Sequence, residues 1–246
     1  MSVATENVTI AVGGDEMGAY VARPEGGDAL PAVIVFMEIF GVNDHIQDVT
    51  RRVAELGYVA IAPDYFHRTG PGIRLAYDDS GMEEGMKHLN QLHADQMVAD
   101  AQATLDYLRG RADVKGDAIG AMGFCIGGHM TYLTAATTDV KAAASFYGGG
   151  IAGPTGPGGA IPTFARTSGI SGHILCLFGG QDELIPDHQV ETIREALEAA
   201  GTKHEIVIYP KADHGFFCDK RATYNADAAE DSWNRVQALF AAELKG

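Results

Sequence analysis

The sequence predicts an α/β protein: a mostly parallel central sheet with helices on both faces. Two features carry that prediction. Several apolar runs show no alternation, as in residues 32–37 (AVIVFM), and strands buried on both faces read this way. Helical patterns separate these runs, and alternation of buried strand with helix implies parallel pairing through crossover connections. Taken in order, residues 8–12 and 18–22 are short strands split by Gly13 and Gly14, which suggests an N-terminal hairpin. A turn over 24–31 leads into the buried strand 32–37, a helix over 48–56 and a second buried strand over 58–62. A helix over 97–108, a strand over 118–122 and a helix over 126–136 follow, then a weaker strand over 142–147. Residues 148–172 are rich in Gly and Pro without periodicity and read as a long loop, which in a compact domain is usually a lid or binding segment. The chain finishes with a strand over 174–178, a helix over 190–200, a weak strand over 206–209 and a helix over 226–244, in which Trp233, Val236 and Phe240 recur at core-contact spacing.

With 246 residues, 46% of them hydrophobic, and no linker, the chain is expected to form one domain, 1–246. Its 18 basic and 33 acidic residues give a formal charge of −15, which opposes nucleic acid and anionic membrane as partners. Three cysteines are too few for a disulfide framework and point to a reducing compartment. The N-terminus carries no secretory pattern and no apolar run is long enough to span a bilayer, so a cytoplasmic location is expected. Oligomeric state is not encoded in any readable pattern.

The sharpest local feature is Gly123-Phe124-Cys125-Ile126-Gly127-Gly128, placed where a buried strand gives way to a helix. A G-x-S-x-G elbow forces its central residue into a tight strand-to-helix turn, and here that residue is Cys. A thiol at a helix N-terminus feels the positive end of the dipole and ionises more readily, and the Ile126 amide would face whatever the sulfur attacks. A phosphate-binding turn fits less well, because the spacing matches neither G-x-G-x-x-G nor the P-loop. An inert buried cysteine remains open.

A thiol nucleophile needs a base, and the base an orienting acid. Asp182 follows the strand 174–178 in Gly179-Gly180-Gln181-Asp182, and His214 follows the strand 206–209 in Asp213-His214-Gly215-Phe216. Ligands bind outside the carboxyl ends of parallel strands, so Cys125, Asp182 and His214 should share one edge, in the chain order nucleophile, acid, histidine of the α/β-hydrolases. Asp182 could instead cap the next helix, with Glu183 or Asp187 as the acid. Of nine histidines, the other eight read as bland; His129, one turn after Cys125, reads as helix packing. No H-x-x-x-H or C-x-x-C spacing suggests a metal, and Cys176 should be core.

These stretches, together with Met37-Glu38-Ile39-Phe40-Gly41-Val42-Asn43, resemble the dienelactone hydrolases, also called carboxymethylenebutenolidases, along nearly the whole chain. The resemblance implies a single α/β-hydrolase domain that opens lactones and activated esters with a Cys-Asp-His triad and no metal or organic cofactor. It also implies that Glu38 takes the thiol proton when substrate arrives and that the Ile39 amide completes an oxyanion hole with that of Ile126. Glu38 could alternatively serve only as an acceptor for the loop 41–44. In the prototype enzymes arginines hold a substrate carboxylate, one of them shortly after the triad histidine. Here Phe217 and Cys218 occupy the near positions and Arg221 comes later, while Arg74 and Tyr77 fall in the region of the other binding groups. The expected partner is therefore a small ester or lactone, with Arg74, Tyr77 and Arg221 as candidate substrate-binding residues. A broad cysteine esterase or thioesterase on the same scaffold is the nearest alternative, and a non-catalytic redox sensor built on Cys125 the remaining one.

Overall fold

The computed structural model describes residues 2–26 and 28–246. Its strands are β1 (Val3–Val12), β2 (Asp15–Pro24), β3 (Leu30–Phe36), β4 (Val59–Pro63), β5 (Val114–Phe124), β6 (Ala142–Phe146), β7 (His173–Gly179) and β8 (His204–Tyr209). They form one eight-stranded sheet in the order β1-β2-β4-β3-β5-β6-β7-β8. The β1–β2 and β2–β4 pairs are antiparallel and every later pair is parallel. Burial follows position: interior strands β4 and β6 are buried at every residue, whereas the edge strand β8 is buried at none. That is why residues 206–209 read as the weakest apolar run.

The helices are α1 (Asp44–Glu55), α2 (Asp79–Leu89), α3 (Ala94–Arg109), α4 (Ile126–Thr137), α5 (Asp187–Ala199) and α6 (Ala226–Leu244). Alternation along β5 distributes them. A Cβ on Gly120 would lie 3.0 Å from Leu244 of α6, and one on Gly123, an odd number of residues on and so on the opposite face, would lie 2.3 Å from the Gly127 carbonyl of α4. α1 joins α6 on its face, with the Arg52 guanidinium 4.5 Å from the Trp233 ring.

Element bounds shift by up to five residues from the sequence reading, as where β1 begins at Val3 instead of residue 8 and β5 at Val114 instead of residue 118, and two differences bear on the site. α1 begins at Asp44 instead of residue 48, because Asn43 caps it by accepting a bond from the Ile46 amide. α2 is a helix that the sequence pattern does not announce, since Gly81 and Gly85 lower its propensity; a Cβ on Gly85 would lie 2.5 Å from the Ile39 carbonyl, so the glycine is what lets α2 dock there. The 148–172 stretch carries two short 3-10 turns, Pro157–Gly159 and Thr163–Gly169. His129 ties this stretch to α4, donating from Nδ1 to the Gly149 carbonyl at 2.8 Å and accepting at Nε2 from Thr163 Oγ1 at 2.7 Å. Burial pushes its pKa down to about 4, so the ring stays neutral.

Backbone packs directly on backbone where α4 meets β3. A Cβ on Gly127 would fall 2.4 Å from both the Phe36 and Met37 carbonyl oxygens, which are backbone and cannot rotate aside. Gly127→Ala is therefore expected to destabilise the fold by about 3 kcal/mol, read as a lower urea midpoint. Gly18→Ala, with nothing within 4 Å of its Cβ, should change stability by less than about 0.5 kcal/mol.

Candidate active site

The parallel strands end level with one another, Phe36 opposite Gly123 and Phe124 opposite Phe146, so the residues just beyond them emerge on one edge. Cys125 is the residue between β5 and α4, with φ 58° and ψ −121°. With Tyr147 it is one of two non-glycine residues at positive φ among the described residues. The conformation is held because the Cys125 amide donates to the Phe146 carbonyl at 3.1 Å, tying the turn to β6. The helix after it is free to start at once, and Ile126 and Cys125 both line a cavity outside the strand ends.

Asp182 and His214 meet on the same edge. His214 Nδ1 donates to Asp182 Oδ2 at 2.8 Å, and Asp182 Oδ1 accepts from the Leu184 amide at 2.9 Å, so the carboxylate is fixed at both oxygens. The Asp182 side chain is fully buried. Glu183 lines the cavity and Asp187 lies in α5, so of the three candidate acids Asp182 is the one that reaches the histidine. His214 Nε2 is buried without a hydrogen-bond partner among the described residues. Burial works against a charged ring, but the Cys125 sulfur beside it and the Asp182 carboxylate outweigh that and lift the His214 pKa to about 10.

Glu38 follows β3 and is fully buried, one residue before cavity-lining Ile39. Its Oε1 accepts from Arg221 Nη1 at 3.0 Å and its Oε2 from the Tyr77 hydroxyl at 2.7 Å. Arg221 reaches it by crossing Gly215, where a Cβ would lie 2.5 Å from the guanidinium. Arg221 also lines the cavity, while Tyr77 serves Glu38 from behind. Burial and the Glu38 charge hold the Tyr77 phenol far above its ordinary pKa, so it remains a donor. The Glu38 carboxylate is thus not an acceptor for the loop 41–44; the Gly41 amide donates to the Glu38 backbone carbonyl instead, at 3.3 Å.

Arg74 is not brought to this site. It pairs with Asp44, bridges to Gly41, and lines a separate depression with Tyr20, Gln47 and Asp64. Cys218 is fully buried and absent from the cavity wall; burial and nearby Glu38 push its thiol up to about 11. Cys176 is core in β7, its thiol raised by burial to about 12.

The cavity holds about 910 Å³. Besides the residues above, it is walled by Met82, Met86 and Leu89 of α2, which the sequence reading missed along with the helix itself. Glu38, His45 and Cys218 put three potential metal-ligand atoms within 4.8 Å of one another beneath it. Both Glu38 oxygens are already engaged and the Arg221 cation lies against them, so this is a packed polar support rather than an open ligand set. No described helix is long and apolar enough to cross a membrane.

Residues 17–244 match the family described as the dienelactone hydrolase family. A protein of Synechocystis sp., provisionally named carboxymethylenebutenolidase, is 44% identical over 245 residues, 100% of this chain and 99% of that one. A protein of Escherichia coli K12 with the same provisional name is 40% identical, covering 92% of this chain and 83% of its own. The crystal structure of a provisionally named dienelactone hydrolase from Klebsiella pneumoniae superposes with a TM-score of 0.89 at 35% identity, covering 98% of this chain and 99% of that one.

Two measurements check this geometry. By NMR, His214 in the wild type should stay protonated through neutral pH and titrate near 10. Removing the sulfur with Cys125→Ala should lower that value, since burial then opposes only the Asp182 contribution; an unmoved titration would separate the two residues. Arg74→Ala should leave kcat/KM for a carboxylate-bearing and for a neutral ester within about twofold of wild type, since Arg74 faces another depression.

Proposed function

The chain belongs to the dienelactone hydrolase family and carries its α/β-hydrolase fold, and on that premise we propose that it hydrolyses lactones or activated carboxylic esters through a Cys125 acyl-thioester. The observation that carries this reading is the Cys125 elbow facing an imidazole that Asp182 orients at 2.8 Å. The Cys125 thiolate adds to the ester carbonyl, and the amides of Ile39 and Ile126, both at the cavity wall, hold the oxyanion. Collapse forms the thioester as the C–O bond breaks, with the His214 imidazolium giving its proton to the departing alcohol or enolate. Neutral His214 then removes a proton from water as that water attacks the thioester, and the expelled thiolate takes its proton back from Glu38, which returns the enzyme to its starting state.

The same electrostatics time the two halves. Before acylation the thiolate charge supports the imidazolium; once the sulfur is acylated that charge is gone, and the His214 pKa falls just when a neutral base is required. Glu38 is the acceptor that generates the thiolate, and it does so by giving up the Tyr77 hydroxyl while it stays paired with Arg221. Thiolate chemistry also limits the substrate. In the tetrahedral intermediate sulfur leaves more easily than an amine or an ordinary alkoxide, so stabilised leaving groups are turned over and amides are not.

The test is hydrolysis of a dienelactone, a neutral aryl ester and an acyl thioester by wild type and variants. Cys125→Ala should lower kcat by at least about 10³-fold and Asp182→Asn by at least about 10²-fold. His214→Gln should accumulate enzyme heavier by one acyl group on Cys125 in intact-mass spectra. Turnover retained by Cys125→Ala would remove the nucleophile assignment.

A further inference from the structure

We propose that this cavity selects esters or lactones bearing an extended, uncharged apolar substituent, seated against Met82, Met86 and Leu89 of α2. The inference rests on the reading of Cys125 as nucleophile and adds the substrate class. Size is the first argument. A volume of about 910 Å³ lies at the top of the range for pockets that enclose drug-sized ligands, and a small lactone alone would leave most of it to water.

The second argument is the wall. Met82, Met86 and Leu89 recur at helical spacing and all face the cavity. Six large hydrophobic side chains are exposed among the described residues, and three of them, Met82, Met86 and Leu184, rim this one cavity. Apolar side chains gathered at a mouth mark a binding site, and unbranched thioethers adapt to chains of varied shape. The wall cannot drift from the sulfur, because Gly85 seats α2 directly on the Ile39 carbonyl beside Cys125.

Charge is the third argument. The lining offers a substrate anion one arginine, Arg221, and Glu38 already neutralises it at 3.0 Å. Glu183 and Asp213 line the same cavity and repel an anion, and the other candidate arginine, Arg74, lies outside. A carboxylate-bearing substrate would therefore lose its hydration without gaining a free cation.

The experiment is a kcat/KM series over p-nitrophenyl acetate, butyrate, hexanoate and octanoate, with the anionic p-nitrophenyl succinate beside butyrate. In wild type each added methylene should raise kcat/KM by roughly two- to fourfold, the gain that burying a methylene supports. Succinate should run at least about tenfold slower than butyrate. Met86→Asp, at a position 40% exposed and thus tolerant of the change, should lower the octanoate-to-acetate ratio at least about fivefold. A flat or falling series, succinate as fast as butyrate, or an unaltered ratio in Met86→Asp would overturn the proposal. If Cys125→Ala abolishes turnover while the series is flat, the apolar subsite fails and the thioester reading stands. If Cys125→Ala remains active, it is the thioester reading that fails.

Discussion

The first turn of α4 lies on the end of β3 with no side chain between them, and the site depends on that contact. Gly127 fits there only because it lacks a Cβ, and Gly128 repeats the device against β6, where a Cβ would lie 2.3 Å from the Phe146 carbonyl. The contact brings two chain turns together that are far apart in sequence: the one carrying Glu38 and Ile39, and the one carrying Cys125 and Ile126. A shift of the helix by the width of one methyl would separate the Ile39 and Ile126 amides that the proposed mechanism brings to one oxyanion. Positional errors of that size are costly to catalysis, which explains why three glycines cluster around one cysteine.

Around that contact the charges divide into two groups with different tasks. Cys125, His214 and Asp182 form a line that ends at a carboxylate fixed by the Leu184 amide. Glu38, Arg221 and Tyr77 form a second, more deeply buried group in which one carboxylate is satisfied at both oxygens. Breaking a buried pair costs more than forming it gains, so Glu38 moves only when something compensates its partners. The overall charge of −15 has little part in this, because the groups that matter are buried among their own partners.

Much of this was legible in the sequence, and the remainder was hidden for physical reasons. Cys125, Asp182 and His214 each follow an unalternating apolar run, and parallel topology is enough to place three such residues on one edge. Their roles remain a proposal, but their convergence is a property of the fold. The partners of Glu38 could not be read, since residues 38, 77 and 221 come from separate segments and Arg221 crosses Gly215 to arrive. Arg74 and Tyr77 looked equivalent by proximity to the resemblance. They lie an odd number of residues apart in a stretch that pairs with Gly41 and Phe40, so alternation sends one to the surface and the other to Glu38. α2 was missed because Gly81 and Gly85 lower helix propensity, yet Gly85 is what lets it pack on Ile39 at the site, and Gly81 admits the Ala76 carbonyl of the chain leading into it. Tertiary contact overrode local preference where the cavity wall had to be close.

The strain in the site has a structural source of support. Cys125 and Tyr147 both sit at positive φ, each immediately after a strand, and each sends its amide to the neighbouring strand: Cys125 to Phe146 at 3.1 Å and Tyr147 to Leu177 at 2.7 Å. These bonds extend the sheet ladder one residue beyond its regular end. Each strained residue costs on the order of 1–3 kcal/mol, and the buried Tyr147 hydroxyl, which has no partner among the described residues, adds to that. What the Tyr147 conformation achieves is visible in its ring, packed edge-on to His214 with centroids 5.1 Å apart. The imidazole is therefore backed by the β6–β7 pairing, as the sulfur is held by the β5–β6 pairing. His214 lies in a turn whose residues 214–218 are buried, and it is held against the interior of the sheet. Cys125 and His214 are accordingly braced by the most buried strands of the molecule.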